Sequence, residues 1–315
     1  MRKNLLSIGL AAALGLGVST AMAAPISLPA GPLYFQFNNL EQISFGNGIT
    51  VPGGSIDVNG DGTPDTPAKE GNWGVINVST MQKGGIATPN QDISGGPAIF
   101  FDDGPQGSFG QGQVTGIFYG ITITGPTTAT GGWLDLYWED NATDDIGTSQ
   151  LDGSTFPGRT AANKAGDFTD GTFLARLAFA TGIKSDGSNT TISSSIDVSN
   201  ITGTGQADSF ANVIDTNNDG KIDSSDGVWA GSLNSDWFNV KPDGVNTVTR
   251  DLRFSNFFNL LPTGSAWSDP ANGIQGVRSN DPGRAFVVPE PTSMVLLGIG
   301  LIGMGFSARR RNAKA

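Results

Sequence analysis

Between Gln113 and Thr124 the chain alternates, with Ile117, Tyr119, Ile121 and Ile123 on one face and Phe118, Thr122 and Thr124 on the other. A period of two fits a strand and no helix. Similar short runs recur at Leu33–Phe37, Trp73–Val78, Ala98–Phe101, Trp133–Trp138 and Phe173–Phe179, and a late one begins at Leu252-Arg253-Phe254. Clusters of Gly, Asn, Asp and Pro divide them, as turn chemistry requires. No segment of the body carries a 3.6-residue stripe over three turns. The pattern predicts an all-β chain, read as an antiparallel β-sandwich of jelly-roll type. Ile117–Ile123 and Trp133–Trp138 form its central hairpin around Gly125-Pro126. Residues 140–170, 183–210 and 262–285, rich in Asp, Asn, Ser, Thr and Gly, are expected to be long loops. With no composition break and no internal repeat, the body reads as one domain over residues 24–288.

What can hold such a body together is limited by composition. The chain has no cysteine, so disulfides are excluded, and no histidine, which removes Ser-His-Asp and Cys-His nucleophiles and the usual histidine-based metal sites. Carboxylate chemistry remains, together with oxygen ligands suited to calcium. Of 18 basic and 29 acidic residues, six and one lie in the two ends, which leaves the body 12 and 28, a net of −16. Such a surface repels nucleic acid and anionic lipid and attracts cations.

The ends read as addresses. Arg2 and Lys3 precede an apolar core from Leu5 to Val18, and Ala21-Met22-Ala23 is a small-residue cleavage site, so residues 1–23 are expected to be a secretory signal peptide cut after Ala23. At the other end, Met294 to Phe306 is apolar or glycine throughout, and Arg309, Arg310 and Arg311 follow. A spanning helix takes about 20 apolar residues, with a lower limit of about 17; this run is short, and Thr292, Ser293, Ser307 and Ala308 lengthen it. The arginines belong on the cytoplasmic side, which places the rest of the chain outside. A buried core helix is the alternative, and its glycines disfavour it. The order Val288-Pro289-Glu290-Pro291-Thr292-Ser293, apolar helix, basic cluster, chain end resembles the PEP-CTERM sorting signal, here residues 289–315. That resemblance implies processing near Pro289, Glu290 and Pro291 by exosortase, a membrane-embedded cysteine protease. It also implies that the helix sits only transiently in the inner membrane. Short pieces of the body, among them Asn72-Trp73-Gly74-Val75 and Gly132-Trp133-Leu134-Asp135-Leu136-Tyr137-Trp138, resemble a flocculation-associated group of PEP-CTERM proteins. What they imply is an extracellular role in floc or biofilm formation with exopolysaccharide, and no catalytic residue.

Two aspartate-rich loops stand out in the body. Asp215 to Asp226 fits the twelve-position EF-hand calcium loop. Asp215, Asn217 and Asp219 supply oxygens at positions 1, 3 and 5, Gly220 makes the sharp turn, Lys221 offers its main-chain carbonyl, Ile222 is the apolar position, and Asp223 and Asp226 complete the set. The shorter arm of Asp226, where Glu is usual, predicts six-coordinate geometry or weaker binding. Asp57, Asn59, Asp61, Thr63 and Asp65 repeat the early positions, with Gly62 at the turn, but Ala68 replaces the closing acid. The expected role of calcium is structural. A solvated Asx-rich turn with no ion is the alternative in both places. The two loops lie too far apart in the sequence for the tandem pair of a dockerin.

Three classes of function fit these features. A structural or adhesive matrix protein needs only the two addresses, the acidic surface and the absence of a catalytic set. A carbohydrate-binding module would stack sugar on Trp133, Tyr137, Trp138, Trp229 or Trp237, unless these fill the core. A glycoside hydrolase would need a carboxylate pair such as Glu139-Asp140 or Asp144-Asp145, and no motif singles one out. The reading is therefore no enzyme and calcium as cofactor.

Overall fold

The computed structural model describes residues 25–58, 61–86, 92–102, 112–140, 151, 155–156, 158, 166–201 and 203–289. Eight strands form its frame: β1 (Gly31–Ser44), β2 (Asn72–Lys83), β3 (Gly112–Gly125), β4 (Thr128–Asp140), β5 (Thr172–Ala180), β6 (Gly205–Val213), β7 (Leu252–Leu260) and β8 (Ile274–Val287). Each pairs antiparallel with its neighbour in sequence, and β8 returns to β1 over its full length, from Gly31 opposite Val287 to Ser44 opposite Ile274. Since β1 also pairs with β2 from Leu33 to Ile43, no edge is left and the sheet closes. Two short strands extend it: Ala98–Phe101 pairs with β2, and Ile192–Ser194 bridges β4 and β6.

The closed up-and-down barrel overturns the expected jelly-roll sandwich. The class, all-β and antiparallel, stands. The physical reason for the difference is β8: residues expected to be loop form a 14-residue strand that ties β7 to β1. A sandwich leaves edges that must be shielded, whereas closure removes them. β6 also falls largely inside an expected loop. The hairpin of β3 and β4 is present, with Gly125 opposite Thr128 across the Pro126-Thr127 turn.

Alternation sends one set of side chains inward. Leu33, Phe35 and Phe37 of β1, Ile76 and Val78 of β2, Leu134, Leu136 and Trp138 of β4, Phe254 of β7 and Val287 of β8 are buried in one interior cluster. An eight-stranded barrel is just wide enough for side chains to fill. Connecting segments cover part of the outside, where Leu40, Val58, Trp73, Val75, Ile117, Tyr119, Phe168 and Trp267 form a second cluster. Burial on both faces explains why β3 is buried continuously from Gly112 to Ile121. The period-two reading fails within β3 at one residue. Ile117 and Tyr119 face outward but Ile121 joins the interior, because Gly120 has φ +71° and resets the phase. Its neighbour across the ladder, Gly132 of β4, has φ +101°, and a Cβ there would come within 2.5 Å of Ile121.

Among the described residues no helix is long and apolar enough to cross a membrane. The expected signal peptide, the apolar run Met294–Phe306, and Ala23, Glu290, Pro291, Arg309, Arg310 and Arg311 lie outside the described residues.

Candidate functional site

The barrel has two unlike rims. At the first, β1 begins and β8 ends. Val287 sits in the interior, 1% exposed, and one residue later the N–H of Val288 donates to the carbonyl of Ser232 at 2.9 Å. Ser232 belongs to a short helix, α1 (Ala230–Leu233), whose Ala230 and Leu233 are buried with Trp229 in the same interior cluster. The N–H of Trp229 donates to the Leu174 carbonyl of β5 at 2.7 Å, and its indole Nε1–H to the Ile26 carbonyl at 2.9 Å. Trp229 and α1 thus plug this rim and hold both the chain entering the barrel and the chain leaving it. Pro289, the first residue of the expected processing motif, is exposed immediately beyond the clamp.

The first aspartate loop leads straight into this plug. Asp215 Oδ2 accepts the Gly220 N–H at 2.7 Å, and Asp215 Oδ1 that of Asp219 at 3.3 Å. Asn217 Oδ1 accepts from Asp219 N at 2.9 Å, and Asp219 Oδ1 from Lys221 N at 2.9 Å. Ile222 packs against the barrel interior. Asp223 caps the 3-10 turn Ser224–Asp226, and the N–H and hydroxyl of Ser225 hold its carboxyl below the usual range. Asp226 is fully buried. It accepts the N–H and hydroxyl of Thr216 at 2.7 and 3.0 Å, the Asn217 N–H at 3.3 Å and the Asp223 N–H at 3.1 Å. Three of these bonds go to Oδ1 and one to Oδ2, so Asp226 braces the loop from within. Among the described residues no three acidic side chains converge as a metal site would need.

The second loop repeats two of these bonds: Gly62 N–H to Asp57 Oδ2 and Thr63 N–H to Asp61 Oδ1, both 2.7 Å. Asp65 Oδ2 accepts from Val58 N at 2.8 Å; Asn59 lies outside the described residues. This loop lies on the outer wall, where Arg176 Nη1 donates to the Val58 carbonyl at 2.6 Å. Arg176 also grips Asp135 with two bonds of 2.7 Å, and Asp135 is fully buried. Burial alone would lower the pKa of the guanidinium, but its bond and charge contact with Asp135 outweigh this and raise it. Burial pushes the Tyr137 phenol up, and the Asp135 charge adds to the shift.

The second rim is looser. Between Phe37, Glu41, Phe118, Leu134, Phe254 and Phe258 lies a cavity of about 70 Å³, and a second of about 70 Å³ adjoins it beside Ile123, Thr128 and Ile192. Glu41 Oε2 accepts from Asn72 Nδ2 at 2.8 Å inside. A groove of about 410 Å³ opens outside, along Phe45, Leu260, Leu261 and Pro270.

Of the aromatic side chains weighed for sugar stacking, Trp138 and Trp229 are core, at 3% and 2% exposure; Trp133, Tyr137 and Trp237 are half-buried. Glu139, weighed as half of a carboxylate pair, is buried and accepts from Thr115 Oγ1 at 3.1 Å and Gly171 N at 3.0 Å; Asp144 and Asp145 lie outside the described residues.

Comparison with curated proteins and with solved structures returns no match. A protein-family model does match, described as the PEP-CTERM protein-sorting motif, over residues 287–311. The match begins at the last interior residue of β8 and runs through the whole basic cluster, so the sorting signal is rooted in the plugged rim itself. The chain thus carries a PEP-CTERM protein-sorting motif, which implies an exported protein sorted to the cell surface by exosortase.

Proposed function

We propose that the exported barrel is a surface or matrix protein acting with exopolysaccharide in floc or biofilm formation. The observation that carries this reading is the rooting of the sorting signal. The tail leaves from a rim sealed by Trp229 and α1, so the opposite rim and the outer wall are free to meet material outside the cell. A carbohydrate-binding module is the second reading, favoured by Trp237, which is half-buried and stacked on Phe286 at 4.0 Å and 8°. No carboxylate pair among the described residues favours a hydrolase over these two. A host strain lacking this chain should settle more slowly as flocs, with the full chain restoring settling and a version ending before Pro289 failing to do so. Unchanged settling in the lacking strain would overturn the reading.

Calcium belongs to the same proposal as a stabiliser of the loop Asp215–Asp226. Its support is the ligand spacing and the turn that already folds Asp215, Asn217 and Asp219 around Gly220. The ion would be held by Asp215, Asn217, Asp219, the Lys221 carbonyl and Asp223, with Asp226, whose Oδ2 accepts one N–H, closing the loop from its buried side. The loop 57–65 is the weaker second place, since it lacks a closing acid. At calcium about ten times its dissociation constant, linkage gives about 1.4 kcal/mol, or a rise in Tm of about 2–4 °C. Asp215→Ala should abolish the rise, and no shift at millimolar calcium in the parent would remove the idea.

A further inference from the structure

The outer wall at β7 and β8 carries an arrangement that the barrel does not need. Arg253 and Arg284 stand directly opposite each other across the antiparallel ladder. Like charges so placed destabilise a sheet. A single carboxylate oxygen faces both: Asp92 Oδ1 accepts from Arg253 Nη1 at 3.1 Å and lies 3.2 Å from Arg284 Nε, whose one N–H donates to the Ile93 carbonyl at 3.2 Å. The Asp92 side chain is 53% exposed, and an ion pair with so exposed a partner is weak. Two guanidinium donors, Arg253 Nε and Arg284 Nη1, are buried with no acceptor at all. Leaving such donors unmet inside a protein is unfavourable, because each has lost its water without gaining an acceptor. Rings fix both guanidiniums without using their donors, Arg253 against Phe210 at 6.0 Å and Arg284 against Tyr34 at 5.7 Å. Two residues beyond Arg284 on the same face is Phe286, stacked on Trp237, whose indole Nε1–H is a third buried donor without an acceptor.

We propose that Arg253, Arg284 and Trp237 form a binding site for an acidic sugar, taken through its carboxylate. The unmet atoms of Arg253, Arg284 and Trp237 are all donors, so a ligand that meets them must bring acceptors. A planar carboxylate matches the guanidinium fork, and sugar hydroxyls supply further acceptors beside Trp237. Asp92 occupies the place of the ligand carboxylate as an exposed, displaceable stand-in. The rest of the body is strongly acidic, so this cation pair is where an anionic chain can approach. The proposal rests on the reading of a polysaccharide partner, but its test needs only the purified exported protein.

The probe is a tetramer of galacturonic acid, measured at fixed calcium by calorimetry and by tryptophan fluorescence. The parent should bind it, and Arg253→Gln and Arg284→Gln should each weaken binding about tenfold or more. Asp92→Asn, which removes the stand-in, should tighten binding several-fold. Arg253→Lys keeps the charge and should retain part of the affinity, which separates loss of the site from loss of the fold. Equal binding of the methyl-esterified tetramer, equal binding of inorganic sulfate, or weakening by Asp92→Asn would each overturn the proposal. Sulfate binding equal to the sugar would reduce the patch to a plain anion site. If floc settling does not depend on the chain yet the tetramer binds, the proposed function falls and the site stands. If settling depends on the chain and Arg253→Gln changes neither binding nor settling, the site falls alone.

Discussion

The two rims of the barrel differ in what fills them. At the sorting rim, Trp229, Ala230, Leu233, Val287 and Ala285 are 2% exposed or less, and backbone hydrogen bonds tie α1 to both β5 and the residue after β8. At the far rim the interior runs into two small cavities lined by phenylalanines and the polar Glu41 and Asn72, with an open groove beyond. A protein handled through its tail needs the root of that tail held by the core, so that whatever acts on the motif does not unravel β8. The same demand does not fall on the other end, where packing can be left incomplete.

If that contrast is real, truncation at the sealed rim should cost most. Trp229→Ala removes a buried indole and its bond to Ile26, and an unfolding titration should show a loss of about 3–5 kcal/mol. A matched pair of enlargements then compares the rims directly. Ala285→Val adds two methyl groups to a fully packed interior position of β8 and should destabilise by about 1–3 kcal/mol. Ala207→Val adds the same groups beside both far-rim cavities and should stabilise by about 0.5–1 kcal/mol. Equal costs at the two positions would mean that the far rim is as tightly packed as the sealed one.

How much of this was legible in the sequence follows from which residues carry each feature. The strands with β-branched and aromatic runs, β1 to β5 and the start of β7, were readable because the apolar face is written in large side chains. β6 was not, since its inward positions Ser209 and Ala211 are small. β8 was hidden by Gly276, Pro282 and Gly283 and by its outward arginines, and the ladder to β7 has no paired residues at Asp281 and Pro282. Missing that strand meant missing closure, because β8 is the one strand that joins β7 to β1. It also concealed the pairing of Arg253 with Arg284, which exists only once β8 is a strand. In the loop Asp215–Asp226 the Asx pattern marked the turn at Gly220, but spacing alone could not show Asp226 buried and bonded by its own loop.

The smallest effect expected concerns the carboxylates that brace the sealed rim from opposite sides of the protonation scale. Asp251 is buried, and that burial pushes its carboxyl above the ordinary range despite bonds from the N–H groups of Asp236, Val213 and Ser235. A carboxyl raised on folding binds its proton more tightly in the native state. Its stabilising contribution is therefore present below the unfolded value of about 3.9 and is lost as pH rises through the folded one. Asp223 is the reverse case: held down by the N–H and hydroxyl of Ser225, it stabilises above the unfolded value and loses this as pH falls through its own. Carboxyl carbon resonances followed by NMR should thus titrate in the order Asp223 first and Asp251 last on raising the pH from strong acid. Asp251→Asn should remove the decline in stability that its ionisation causes on the alkaline side of that titration. If Asp251 titrated with the exposed carboxylates instead, the segment Ser235–Asp236 would be open to water, and the sealing of the sorting rim would end at α1.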